Sequence, residues 1–182
     1  MSQFIETNPN DLPDNVFQSI GQEWMLITVG DKNQYNTMTA SWGGWGILWN
    51  RKVCFCVIRP QRFTYEFMER SDAFSLSFFD ASYRAVLDYC GTHSGRKVDK
   101  ARECGLTPFE VEVAGAKTNA VSFKEARLVL TCKKLYFHDL DPAHFIDPTI
   151  ANVYPSRDYH RMYIGEIVSC LVQAEQSAGV LI

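Results

Sequence analysis

The sequence predicts a mainly β protein: a small closed antiparallel barrel of about six strands with short helical insertions. Two observations carry that expectation. Several short segments alternate or are rich in Val, Ile, Thr and aromatic residues and are bounded by turn residues, while no apolar-periodic segment exceeds three helical turns. A third sets the scale, because 182 residues with 46% hydrophobic and 21% charged content suffice for one core and hence one domain, 1–182. Within it the expected core covers about 14–173, and 174–182 read as a loosely held tail.

Taken in order, Pro13 precedes a helical turn or two over Val16–Gly21. Glu23–Gly30 alternates, and the turn-forming run Asp31-Lys32-Asn33-Gln34 returns the chain into Asn36–Trp42, so these two strands form a hairpin. Lys52–Ile58 and Ala73–Phe79 are further strands, the first punctuated by Arg59 and Pro60. Thr64–Arg70 reads as a helix capped by Thr64, and Ser82–Cys90 as another with Ala85, Val86 and Tyr89 on its apolar side. Val121–Thr131 alternates at Ala126, Leu128 and Leu130 and continues to Cys132, where Lys133-Lys134 disturbs the phase. A last strand runs from about His160 to Val172, with Gly165 expected at a bulge.

Composition excludes several classes. Eighteen basic against 21 acidic residues give a formal charge of −3, so no basic surplus supports nucleic-acid binding. The longest apolar run, Val53–Ile58, is far short of the roughly 20 residues a membrane-spanning helix needs, so no membrane partner is expected. Met1–Asn10 has neither Lys nor Arg nor an apolar h-region, unlike a secretory signal. Six cysteines at 54, 56, 90, 104, 132 and 170 form no C-x-x-C pair and lie at no zinc spacing to His. They are expected as reduced, buried thiols of a cytoplasmic protein, without disulfide or metal.

Three segments carry chemistry. In Asn36–Trp42 the hydroxyls of Thr37, Thr39 and Ser41 recur at the strand period of two and line up over about 13 Å. That row suits either a polar ligand of this length or a solvated outer face. Gly43, Gly44 and Gly46, flanked by Trp42 and Trp49, permit close backbone approach beside flat aromatic surfaces. They do not make a dinucleotide fingerprint, since G-x-G-x-x-G and its βαβ unit are absent. Arg59-Pro60-Gln61-Arg62-Phe63-Thr64 places two guanidinium groups and a hydroxyl just before a helix, which is either a phosphate site in outline or a solvated loop with an ordinary cap. His93–Lys100 is a basic loop before another short helix, and alone it is only a polar loop.

In this order the segments resemble the flavin reductase-like family, whose fold is an FMN-binding, Greek-key split antiparallel β-barrel. The resemblance rests on N-T-M-T-A-S-W at Asn36–Trp42, R-P-x-R-x-T-Y-E at Arg59–Glu66, S-G-R-x-V-D-K at Ser94–Lys100 and Tyr159–Glu166 near the end, and it covers roughly 14–173. Lys97, where the family often has an acidic residue, and Ala101, where an aromatic commonly follows D-K, depart from the pattern. The resemblance implies that Asn36, Thr37, Thr39 and Ser41 hold the ribityl chain and ring edge of FMN, with Met38, Trp42 and Ser94 in the same cofactor-binding set. It implies that Arg59, Arg62, Thr64 and Lys100 bind the phosphate and that Tyr159–Tyr163 helps close the site. Cys54 and Cys56 face one way, so that one touches the flavin or both pack in the core; His93 and His160 are possible donors to flavin or substrate.

No acid–base residue is required, because the cofactor carries the chemistry. The family expectation is therefore hydride transfer from NADH or NADPH through FMN, in a homodimer with the flavin near the subunit interface. An alternative is a flavoredoxin-type carrier that exchanges electrons with a redox partner protein. A third reading is a non-catalytic barrel binding some other phosphorylated or planar ligand.

Overall fold

The computed structural model describes residues 4–174. Among them the chain forms ten strands rather than about six: β1 (Phe4–Glu6), β2 (Met25–Gly30), β3 (Tyr35–Ala40), β4 (Gly43–Leu48), β5 (Arg51–Ile58), β6 (Ala73–Phe78), β7 (Pro108–Val111), β8 (Ala120–Phe123), β9 (Leu128–Asp139) and β10 (Arg161–Gln173). Helices are short, as expected: α1 (Val16–Gln18, continued by a wider turn to Glu23), α2 (Phe63–Arg70), α3 (Arg84–Thr92) and α4 (Lys100–Glu103). The main sheet runs β3-β2-β6-β9-β10-β5-β4, with β1 added to the far end of β10, and every pair is antiparallel. Its two edges, β3 and β4, are consecutive in the chain yet unpaired, and this is where the barrel is split.

The missing strands have identifiable causes. β4 contains three glycines and looks like a loop, but it is held as a ribbon against β5, with Gly44 opposite Phe55 and Trp45 opposite Cys54. Trp49 and Asn50 turn the chain at φ 52° and 57°, the backbone of a tight two-residue hairpin. The single strand expected over Val121–Thr131 is two, separated by the turn around Lys124–Arg127, and Arg127 bridges Asp14 and Glu23. β9 also continues past the lysine pair to Asp139. The register against β10 slips there, leaving Leu135 unpaired between Lys134 and Tyr136, so the disturbed phase marks a bulge and not an end. Gly165 sits at the same irregularity, and a Cβ on it would meet the Phe74 ring at 2.7 Å. Before the expected core boundary, β1 pairs with β10, so the sheet begins at Phe4. Apart from Ala174, the expected tail 174–182 lies outside the described residues.

Alternation sorts the strands into two packing layers. Ile27, Val29, Met38, Cys54, Cys56, Phe74, Leu130 and Tyr163 fill the barrel interior. Leu26, Phe79, Leu87, Cys90, Ala101 and Val129 form a second cluster beneath α3 and α4. α3 is therefore docked on the outer side of β2 and β3, and its C-terminal end is carried to the β3 edge. Five of the six cysteines are buried and all are free, and no helix among the described residues is long and apolar enough to cross a membrane.

Candidate functional site

The site is built on the β3 edge. Asn36 and Met38 face the barrel side with Val29 and Ile27, whereas Thr37 and Thr39 face α3 with Thr28 and Leu26. The hydroxyl row is consequently not a solvated face. Thr37 Oγ1 lies 2.9 Å from Thr28 Oγ1, buried between the strands, and Thr39 donates to the Leu87 carbonyl of α3 at 2.5 Å. Ser41, past the strand end, lines a groove without a hydrogen-bond partner of its own among the described residues.

A recess of about 160 Å³ opens beside Asn36 and Met38, between the start of α2 and the loop after α3. α2 begins at Phe63, one residue earlier than expected, with Arg62 at its N-cap and no side-chain cap bond. Thr64 is thus in the first turn and is not the cap; its fully buried Oγ1 accepts from Asn36 Nδ2 at 2.7 Å. With no capping side chain, and with the Tyr65 N–H taken by the Arg62 carbonyl at 3.0 Å, the N–H groups of Phe63 and Thr64 are left to another acceptor. The opposite wall is the Ser94–Lys100 loop, where Gly95 presses on Asn36 so closely that a Cβ would lie 1.8 Å from Asn36 Oδ1. Only glycine fits there.

Two cations close the recess. Arg62 donates to the Gly91 carbonyl at 2.8 Å and Lys100 to the Cys90 carbonyl at 3.0 Å, both at the C-terminal turn of α3, where carbonyl dipoles favour positive charge. Neither has a carboxylate partner among the described residues. Burial, with Arg62 adding repulsion, holds the Lys100 ammonium down to about 8, and burial followed by Arg59 lowers Arg62. Buried Lys100 and half-buried Arg62 are like charges without a counterion among the described residues, a costly arrangement that an anion in the recess could relieve.

A second groove, about 390 Å³, continues from the recess through the shared residues Met38, Gln61 and Arg62 toward Ser41, Trp42, Arg59 and His160. The Trp42 and His160 rings are 5.0 Å apart, and Tyr154 Oη lies 2.9 Å from His160 Nδ1. Burial, then the Arg59 charge, depresses the imidazole to about 4, so His160 is neutral at neutral pH. A polar anion pocket joined to an aromatic-walled slot suits a planar ligand with a phosphate tail.

The structure thus brings Asn36, Met38, Thr39, Ser41, Trp42, Arg59, Arg62, Thr64, Ser94 and Lys100 to one continuous surface. Thr37 lies behind it, beside a further polar hollow against the 95–101 loop. Cys54 does not join them: it is wholly buried, its Sγ 3.1 Å from that of Cys132 across Gly165, because its side of β5 faces the barrel interior. Arg59 lines the groove but not the phosphate-sized recess. His93 stacks on Tyr89 at 3.8 Å at the recess rim. The sequence pattern singles out Tyr159 and His160 but neither Gln61 nor the segment 140–158 that follows β9. That segment was nevertheless punctuated by two Asp-Pro steps, and Asp141 and Asp147 each cap a short 3-10 turn beginning at Pro142 and Pro148.

A search of curated proteins returns no match. Solved structures share the fold. The FMN-binding domain of a flavin reductases-like enzyme from Shewanella baltica aligns at TM-score 0.65 and 16% identity, over 96% of this chain and 79% of that one. Flavoredoxin of Desulfovibrio vulgaris aligns at 0.63 and 23%, over 84% and 70%. The NADH:FAD oxidoreductase of Streptomyces globisporus, solved with NAD and FAD fragments, aligns at 0.55 and 14%, over 81% and 73%. The model of the flavin reductase like domain matches residues 17–182, and with a split barrel whose open edge carries the matching motifs, the chain belongs to the flavin reductase-like family.

Proposed function

We propose that this protein is an FMN-binding oxidoreductase, an NAD(P)H-dependent flavin reductase. The observation that carries the reading is the pair of buried Lys100 and half-buried Arg62, which faces a recess with no carboxylate among the described residues and opens onto a flat groove. These residues fit FMN: Arg62, Lys100, the Thr64 hydroxyl and the uncapped start of α2 would hold the phosphate. Ser41 and the polypeptide backbone from Met38 to Trp42 would line the ribityl chain and ring. When bound, FMN supplies a ring that accepts hydride from a nicotinamide and returns electrons singly or in pairs. The chain's own part is to hold the anion, shield the groove with Trp42, and keep His160 neutral, able to accept or donate a hydrogen bond without adding charge. The names of similar proteins, a flavin reductases-like enzyme and an NADH:FAD oxidoreductase among them, support this reading.

We also propose a homodimer. Of the four tryptophans, Trp45 packs edge-on against Phe78 and Trp24 lies under Arg84, but Trp42 and Trp49 remain largely exposed with Ile47 and Phe55. A two-fold interface is the commonest means of covering such a surface. Light scattering that gives twice 20.8 kDa agrees; the monomer mass for flavin-loaded protein refutes the dimer.

The deciding experiment for function is titration of the purified protein with FMN and riboflavin, followed by steady-state NADH and NADPH oxidation. Tighter binding of FMN by about tenfold or more is expected from the charge-assisted phosphate contacts. FMN uptake without turnover of either nicotinamide would replace the reductase by a flavoredoxin-type carrier, and no uptake of either flavin would overturn the reading.

A further inference from the structure

We propose that Arg59 is a positioning residue and not a phosphate ligand: it ties the segment 147–158 across the ring groove, and through Tyr154 that segment fixes the His160 ring at the groove wall. The inference rests on the flavin reading only in naming the groove's occupant. Its substance is a division of labour between two arginines that look equivalent in sequence.

The contacts of Arg59 all point away from the recess. Nη1 bonds Asp158 at 2.6 Å, Nη2 bonds the Val153 carbonyl at 3.0 Å, and the guanidinium lies over the Tyr154 ring at 5.1 Å. Gln61 donates to the same Asp158 carboxylate oxygen. Arg62 differs: a single backbone carbonyl is its acceptor, and it lines both recess and groove. To reach a phosphate, Arg59 would have to abandon a largely buried carboxylate whose other oxygen is already buried without a partner. Such a separation leaves a charge unpaired.

The segment depends on these ties. Its 3-10 turn at Pro148–Val153 buries no residue. Among the described residues, the hydrogen bonds that join 147–158 to the barrel by a side chain are those of Arg59, of Asp158 with Gln61, and of Tyr154 with His160. Phe145, Tyr154 and Tyr159 form an aromatic cluster within and beside it, with ring centroids 5.0 to 6.0 Å apart, which links its two ends. Tyr154 engages Nδ1 of His160, which leaves Nε2 as the ring nitrogen without a protein partner among the described residues. Arg59 and Arg62 from the β5–α2 loop, and Asp158 and Tyr154 from the segment, are the charged and titratable groups around the imidazole, with Trp42 packed on it.

The test uses Arg59→Gln, Asp158→Asn and, as the contrast, Arg62→Gln in the full chain. Hydrogen exchange of peptides covering 147–158, measured without flavin, should rise about tenfold in Arg59→Gln and Asp158→Asn, with β2, β6 and β9 unchanged. Histidine side-chain NMR should show the His160 titration moving up from about 4 toward 6.5 in Arg59→Gln, a shift that loss of a remote structural contact would not produce. The ratio of riboflavin to FMN dissociation constants should stay within about twofold of wild type in Arg59→Gln and fall about tenfold in Arg62→Gln. Unchanged exchange in Asp158→Asn, or a ratio in Arg59→Gln that falls as far as in Arg62→Gln, overturns the proposal. If Arg59→Gln does not fold, Arg59→Lys and Asp158→Asn carry the test. Should wild type bind neither flavin, the proposed function fails, while exchange and histidine titration of the flavin-free protein still decide the role of Arg59.

Discussion

Replacing Lys100 by Met should make the flavin-free protein no less stable while damaging its anion site. Lys100 is nearly buried and its ammonium is held at about 8 against the usual 10.5. At about 1.36 kcal/mol per pH unit, carrying that charge costs the folded state roughly 3 kcal/mol at neutral pH. Against this stands the bond to the Cys90 carbonyl, whose loss leaves an acceptor unsatisfied at about 1–3 kcal/mol. The balance is a net gain of about 0–2 kcal/mol, or up to several degrees in melting temperature. The pH dependence gives an independent sign. Because the folded pKa lies below the unfolded one, the unfolded chain binds more protons between about 8 and 10.5, so wild-type stability gains a rising contribution through that window. Below 8 the penalty is fully present. Denaturant titrations of both proteins from neutral pH to about 10 measure it as a difference, since other groups cancel. FMN affinity of Lys100→Met should fall by 1.5–3 kcal/mol, about tenfold or more, with riboflavin little changed. A loss of stability beyond about 1 kcal/mol in the flavin-free variant, with FMN affinity intact, would refute the buried-cation argument.

Gly95→Ala should force the Ser94–Lys100 loop off Asn36, since the added carbon would lie 1.8 Å from Asn36 Oδ1; a stability loss of about 1–3 kcal/mol and weaker FMN binding by fluorescence titration are expected. Thr39→Val removes the donor to the Leu87 carbonyl and should cost about 1 kcal/mol in urea unfolding, reporting on α3 docking. Gly165→Ala would drive a methyl into Phe74 and Cys132, so a loss of about 1–3 kcal/mol with no change in the FMN-to-riboflavin ratio separates the core bulge from the site.

What could be read in the sequence follows the range of the forces involved. The β2–β3 hairpin was legible because its alternation and turn chemistry lie within about 20 residues, and its pairing Met25–Ala40 to Gly30–Tyr35 follows from them. β4 was not. Three glycines in six residues erase the side-chain pattern, and only the neighbouring β5 makes that backbone a strand. The phase break at Lys133-Lys134 was visible, but a bulge and a strand end have the same local signature. The difference is made by β10, whose Tyr163 and Ile164 pair with Phe137 and Tyr136 beyond the break.

The site divides along the same line. That Asn36–Trp42, Arg59–Glu66 and Ser94–Lys100 meet could be inferred from their order, whereas what each polar group is already bonded to could not. Thr37 and Thr39 lie on the expected strand, but their hydroxyls are already bonded within the fold, because β3 turns that face toward β2 and α3, where Thr28 and Leu87 take them, even though Thr39 lines the groove. The two arginines show the limit most sharply. Arg59 and Arg62 stand three residues apart in one motif, yet the first is neutralised by an aspartate 99 positions away and the second is held on a helix carbonyl with its charge unspent. A cation in a sequence is only a supply of charge. Whether it serves an anion from solution depends on whether the fold has brought a carboxylate within reach, and at this barrel edge the fold does so for Arg59 and withholds it from Arg62 and Lys100.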